Sequence, residues 1–88
     1  MRREPEFFSG QELILVFVAK RLKEALAVER AFDSDAVDYT VVPTPYTNGV
    51  LFRSQRVGAF FYVTPQLAER ARALMLASGF KPFEPDLG

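Results

Sequence analysis

Three short apolar runs and two helical periodicities predict an α+β chain with its elements in the order β-α-β-β-α. Residues 13–18 are unbroken apolar and partly β-branched, residues 37–42 alternate Val37, Tyr39 and Val41 with Asp38, Thr40 and Val42, and residues 57–63 carry Phe60, Phe61, Tyr62 and Val63. Between and after them lie stretches with apolar residues three and four apart. This order is the ferredoxin-like split β-α-β pattern, with two helices on one face of an antiparallel sheet and a weak or edge fourth strand.

Each element has a local reason. The first helix spans about residues 20–32, with Leu22, Ala25, Val28 and Phe32 on one face, and ends in the polar Asp33-Ser34-Asp35. Pro43 and Pro45 should end the second strand or confine it to an edge. Asn48-Gly49 is a strong turn signal inside a loop over residues 46–56, where residues 50–52 can pair back briefly. The second helix has the clearest limits. Thr64 suits its N-cap, Pro65 its first position and Gly79 a left-handed C′ position, while Leu67, Ala71, Leu74, Met75 and Ser78 share a face. Residues 81–87 contain Pro82 and Pro85 and can form only an edge strand or an extended tail.

The chain of 88 residues has room for one domain, read as residues 12–83 between tails at 1–11 and 84–88, with Phe7 and Phe8 as the rings that would dock the first tail. It holds no cysteine and no histidine, which excludes disulfides, Cys/His zinc sites, thiol nucleophiles and imidazole catalysis. A small domain without disulfides fits a reducing, cytoplasmic setting. Eleven basic and eleven acidic residues balance to zero, whereas phosphate-backbone binding needs a basic excess. No apolar run reaches the ~20 residues of a membrane span. Nucleic acid and membrane are therefore not expected partners, and no motif for a nucleotide, metal or other cofactor is present.

Strands 1 and 3 are apolar on both faces, so the sheet face away from the helices should also be covered. We expect a homo-oligomer, a dimer in preference, that packs through Leu13, Leu15, Phe17, Phe60 and Tyr62. The alternative cover is the two tails, through Phe7, Phe8 and Phe83.

One candidate ligand site emerges. No acidic residue occurs between Asp38 and Glu69, while Arg53 and Arg56 lie in that interval, and Lys20 and Arg21 open the first helix, where cations oppose the macrodipole. We expect Lys20, Arg21, Arg53 and Arg56 to meet around an anionic ligand with Thr44, Tyr46, Ser54 or Gln55. Glu29 interrupts the apolar face of helix 1, where a paired carboxylate at the rim is a commoner arrangement than a catalytic acid. Asp33, Asp35 and Asp38 lack the glycine and terminal glutamate of a calcium loop and read as capping and turn residues. Gly58 marks a bulge or close backbone approach in strand 3. With no nucleophile–base pair visible, the chain reads as a non-enzymatic binding or regulatory module, or alternatively as a structural subunit that binds another protein through the open sheet face.

The segments EALAVERAF, VVPTPYTNG and RVGAFFYV, spread over about residues 13–80, resemble the selenium/sulfur carrier-like family of small bacterial domains. Members show an alanine- and glutamate-containing first helix, a PTP motif after strand 2 and a Cys-Gly pair that opens strand 3. By that resemblance Glu29 is the helix glutamate, Pro43-Thr44-Pro45 the loop motif and Gly58 the glycine of the pair. Val57 stands where the cysteine would be, and Tyr46 where an arginine often follows the prolines. A carrier that holds sulfur or selenium on a thiol cannot work without it, so the resemblance implies a member that has lost this chemistry. The chain also resembles ferredoxin-like regulatory modules that bind metabolites across dimers, a likeness of fold that does not fix function.

Overall fold

The computed structural model describes residues 1–48 and 54–83, and for residues 46–48 and 54–55 the backbone course only. A short 3-10 turn, Pro5–Phe8, precedes β1 (Ile14–Ala19), α1 (Leu22–Ser34), β2 (Thr40–Asn48), β3 (Ser54–Val63) and α2 (Pro65–Ala77). The three strands form one antiparallel sheet in the order β1-β3-β2. Among the described residues there is no fourth strand. Instead, the Phe83 N–H donates to the Val16 carbonyl at 2.7 Å, which lays residues 81–83 beside β1.

One face of the sheet carries both helices. Val16, Phe17, Phe61 and Val63 pack there with Ala25, Val28 and Phe32 of α1 and Ala68, Ala71 and Met75 of α2. Leu22 was expected on this face but is 75% exposed, because it opens α1 beyond the end of β1.

β1 contains a bulge between Leu15 and Phe17. Leu15 lies opposite Tyr62, yet Phe17 lies opposite Phe61, so Val16 is the extra residue. Without it, simple alternation would put Phe17 on the same side as Leu15. With it, Val16 and Phe17 both enter the helix-side core, and Phe17 is only 7% exposed. The expected interface face is thereby corrected: Leu15, Val18, Phe60 and Tyr62 share the side away from the helices, and Phe17 does not.

β2 runs straight through Pro43 and Pro45 as an edge strand, the second of the two placements these prolines allow. The reason is parity. Tyr39 uses both its backbone groups outward, its N–H donating to the Met1 carbonyl at 3.1 Å and its carbonyl accepting from the Arg3 N–H at 2.7 Å. Odd-numbered residues of β2 therefore face away from β3, and even-numbered ones form the ladder with it. Both prolines are odd-numbered and sit on an edge strand, so their missing N–H groups cost the ladder nothing.

The N-terminal segment is part of the fold. Phe8 is buried, the 3-10 turn packs on β2, and Thr40, on the face opposite the helices, is 1% exposed. This segment therefore closes one end of the second sheet face. Phe7 stays 51% exposed, edge-on to Phe8 and under the Arg3 guanidinium.

Both helices end in the same hydrogen-bonded motif. After α2, Gly79 N–H donates to the Leu76 carbonyl and Phe80 N–H to the Met75 carbonyl, with Gly79 at φ +85°. Phe80 then packs edge-on against Phe17. After α1, Ala36 N–H donates to the Asp33 carbonyl and Val37 N–H to the Phe32 carbonyl, but the left-handed position, φ +55°, holds Ala36. At the other end of α2, Thr64 has N-cap backbone geometry, though its hydroxyl does not cap. The two C-termini predict opposite outcomes by thermal unfolding. Gly79→Ala should lower stability by about 1 kcal/mol, a few degrees in Tm, and Ala36→Gly should raise it by about 0.5–1 kcal/mol. Equal signs for the two would contradict the assigned backbone geometry.

Candidate functional site

The β2–β3 ribbon is longer than the element it lies beside. β1 pairs with β3 only as far as Ala19 opposite Ala59, while β2 and β3 continue to Asn48 opposite Ser54. α1 starts at Leu22 and does not follow the ribbon outward. A cleft of about 230 Å³ is left in the angle, lined by Ala19, Lys20, Arg21, Leu22, Ala25, Pro43, Val57, Gly58 and Ala59. Its floor is the helix-side surface of the sheet, and Val57 is 65% exposed within it. Lys20 and Arg21 form the rim.

The expected anion site divides on this geometry. Lys20 and Arg21 are together at the cleft. Thr44 lies opposite Gly58 and Arg56 is one residue from Val57, which puts both on the other face of the ribbon. The physical reason is that residues 46–48 and 54–56, expected within a loop, are strand and alternate. Thr44 donates its hydroxyl to the Val42 carbonyl at 3.2 Å. Tyr46 is opposite Arg56, and Gln55 and Ser54 follow in the same ladder. Arg53 lies outside the described residues, as do Gly49 of the expected turn and residues 50–52. The expected interface residues Leu13, Leu15, Phe60 and Tyr62 are each partly buried.

Sequence reasoning missed the contribution of Val57, Pro43 and Ala59 as an apolar floor. A strand-parity argument could have found it, since these residues are all odd-numbered on a paired ribbon.

Electrostatically α1 starts with cations, beside Glu24 in the same first turn, and ends in carboxylates. Arg21 is its N-cap residue and makes no side-chain cap, Lys23 follows in the first turn, and the last turn has no basic residue. Cations at an N-terminus and carboxylates at a C-terminus each oppose the macrodipole by about 0.3–1 kcal/mol at exposed positions. The acidic end is satisfied by other elements. Tyr39 donates its hydroxyl towards Glu29 at 3.3 Å and Asp33 at 3.2 Å, Arg3 pairs with Asp38 at 3.1 Å, and Arg2 approaches Glu29 at 3.4 Å. Arg70 of α2 clasps Asp35 through its carboxylate and its carbonyl, both at 2.7 Å. Glu29 and the three aspartates thus act in pairing and turns, and no cluster suited to a metal occurs among the described residues. The basic end lies beside the cleft.

No family model matches the chain, and no curated protein or solved structure matches it either. Among the described residues no helix is long and apolar enough to cross a membrane.

Tyr39 is fully buried, and burial first, then the charges of Glu29 and Asp33, hold its phenol far above the ordinary tyrosine value. A phenol is neutral when protonated. Below about pH 10 it is protonated in both folded and unfolded chains, and stability is unaffected. Above that the unfolded chain releases the proton and the folded chain cannot, so stability should fall by up to about 1.4 kcal/mol per pH unit. Denaturant titrations from about pH 9 to 11 check this. Tyr39→Phe should remove that slope at a neutral-pH cost of about 1 kcal/mol, and an unchanged slope would refute the assignment.

Proposed function

We propose that this chain is a non-enzymatic binding module whose ligand carries an acidic group on a short apolar body. The apolar cleft with Lys20 and Arg21 at its rim is the observation that carries the reading. Sites that enclose a drug-sized ligand measure about 300–1,000 Å³, so a cleft of about 230 Å³ suits a short chain or a single side chain. An apolar floor gives a fully hydrated anion no compensation for lost water, whereas an alkyl group buries against it at roughly 25 cal/mol per Å². Zero net charge and a cysteine-free composition support a cytoplasmic setting without nucleic acid.

The fold supports the same placement. We read the sheet as a reduced ferredoxin-like plait in which residues 81–83 stand in for the fourth strand, on the Phe83–Val16 bond. The resemblance to selenium/sulfur carrier-like domains also points to this end, because Pro43, Val57 and Gly58, the positions matched to the PTP motif and the Cys-Gly pair, all line the cleft. With valine in place of cysteine, reversible binding replaces carriage on a thiol.

A second reading is a homodimer through the open sheet face. Val18, Phe60 and Val42 form a row across the three strands there, all partly exposed, while the N-terminal segment closes the end at Thr40. Phe60→Glu should convert such a dimer to monomers in light scattering, and a wild-type monomer at high concentration would exclude it.

The ligand reading is tested by titrating ¹⁵N-labelled protein with octyl phosphate, with inorganic phosphate and octanol as separate controls. Octyl phosphate should shift the amides of residues 19–22 and 57–59 and bind at least about tenfold more tightly than either control. Val57→Asp should weaken it by about tenfold. Equal affinity for inorganic phosphate, or shifts confined to the acidic end of α1, would overturn the reading.

A further inference from the structure

We infer that the cleft end of the molecule takes an extended acidic peptide as an added strand on β3. This rests on the ligand reading above and names the chemistry of the partner.

The first support is backbone geometry. The even-numbered residues of β2 form the ladder with β3, and their partners Tyr62, Phe60, Gly58, Arg56 and Ser54 are even-numbered too. The odd-numbered residues of β3 therefore direct their N–H and carbonyl groups to the other side. Val63, Phe61 and Ala59 meet β1 there, opposite Ile14, Phe17 and Ala19. Past Ala59 the pairing with β1 stops while β3 continues to Ser54. Among the described residues, the backbone groups of Val57 and Gln55 then face a gap in line with β1, from which the chain has turned away into α1. A strand entering this gap extends the sheet without displacing anything from the ladder with β2. By contrast, the outer rim of β2 is occupied at Tyr39 by the N-terminal arm and lacks N–H donors at Pro43 and Pro45. Of these two edges only the gap beside Val57 has its donor and acceptor in place.

The second support is what flanks the gap on each face. On the helix side is the apolar cleft, of a size that takes one or two side chains of an added strand. On the other side is Arg56, exposed and next to Val57. Lys20 and Arg21 stand where the gap meets the end of β1. No carboxylate occurs in the sequence from residue 39 to residue 68, so nothing on the ribbon repels an acidic partner. A strand with apolar residues on one face and acidic residues on the other meets both surfaces at once. A second copy of β3 in the gap would bring its own Arg56 against this one, so the partner is an acidic segment of another protein.

The test uses a fluorescein-labelled peptide of about eight residues that alternates valine and glutamate, followed by anisotropy with the full chain. It should bind, and more weakly as salt rises. Its counterpart with lysine for glutamate should not bind. Methylating the alternate peptide nitrogens that face β3 should abolish binding, since it removes the bonds an added strand makes. On the protein, Val57→Pro deletes the N–H aimed at the gap and leaves the ladder with β2 intact, because Val57 lies opposite Pro45. It should weaken the peptide by about tenfold, and Arg56→Glu should weaken it too. The methylated peptide decides the matter even if Val57→Pro fails to fold. Equal binding by the methylated or the lysine peptide overturns the inference. If octyl phosphate occupies the cleft and the acidic peptide does not bind, the inference fails and the ligand reading stands; if neither binds, both fail.

Discussion

The fold depends on Phe61. It sits at the middle of the central strand, completely buried, and is within aromatic contact of Phe17 from β1, Phe32 from α1 and Tyr39 at the head of β2. Tyr39 stacks on it with ring centres 5.8 Å apart, and Phe32 meets both rings edge-on. Such pairs contribute about 0.5–1.5 kcal/mol each beyond the area they bury. For a domain of this size, where total stability is of order 5–15 kcal/mol, one cluster of that kind is a large share. It also joins elements far apart in sequence, which the backbone ladder alone does not do for α1.

The cluster lies towards one end of the sheet, and this sets the character of both ends. Near the rings, Tyr39 carries its hydroxyl out to Glu29 and Asp33, and the arginines of the N-terminal arm and α2 neutralise the surrounding carboxylates. Away from the rings, helix cover stops at Leu22 while the ribbon goes on. The apolar surface there has no second layer, and cations gather around it. A chain of zero net charge thus places Arg21 and Lys23 at the start of α1, with Glu24 beside them, and carboxylates at its end.

Much of the architecture was legible in the residues: both helices, three strands, the Gly79 terminus, the turn role of the aspartates and the paired Glu29. What escaped was governed by register. A run of seven apolar residues contains no polar marker of alternation, so the bulge at Val16 was invisible, and Phe17 was assigned to the wrong side. The PTP segment leaves both a strand end and an edge strand open, because proline fits either. The overlooked signal was spacing. Two prolines two residues apart fall on the same side of an extended chain, and an edge strand tolerates both if that side faces outward. Once the ribbon is extended, alternation separates Arg56 from Val57 and divides the expected cationic site. Leu22 looked like core because periodicity says which way a side chain points along a helix, not whether the sheet still lies beneath it.

The same proline pair bears on how the edge of the sheet is protected. A cysteine-free chain with half its residues apolar, emerging into a crowded cell, is at risk of stacking strand upon strand with its neighbours. Two missing donors on one rim interrupt any such stack before it can propagate, so the molecule resists fibre growth on that flank by covalent structure rather than by charge.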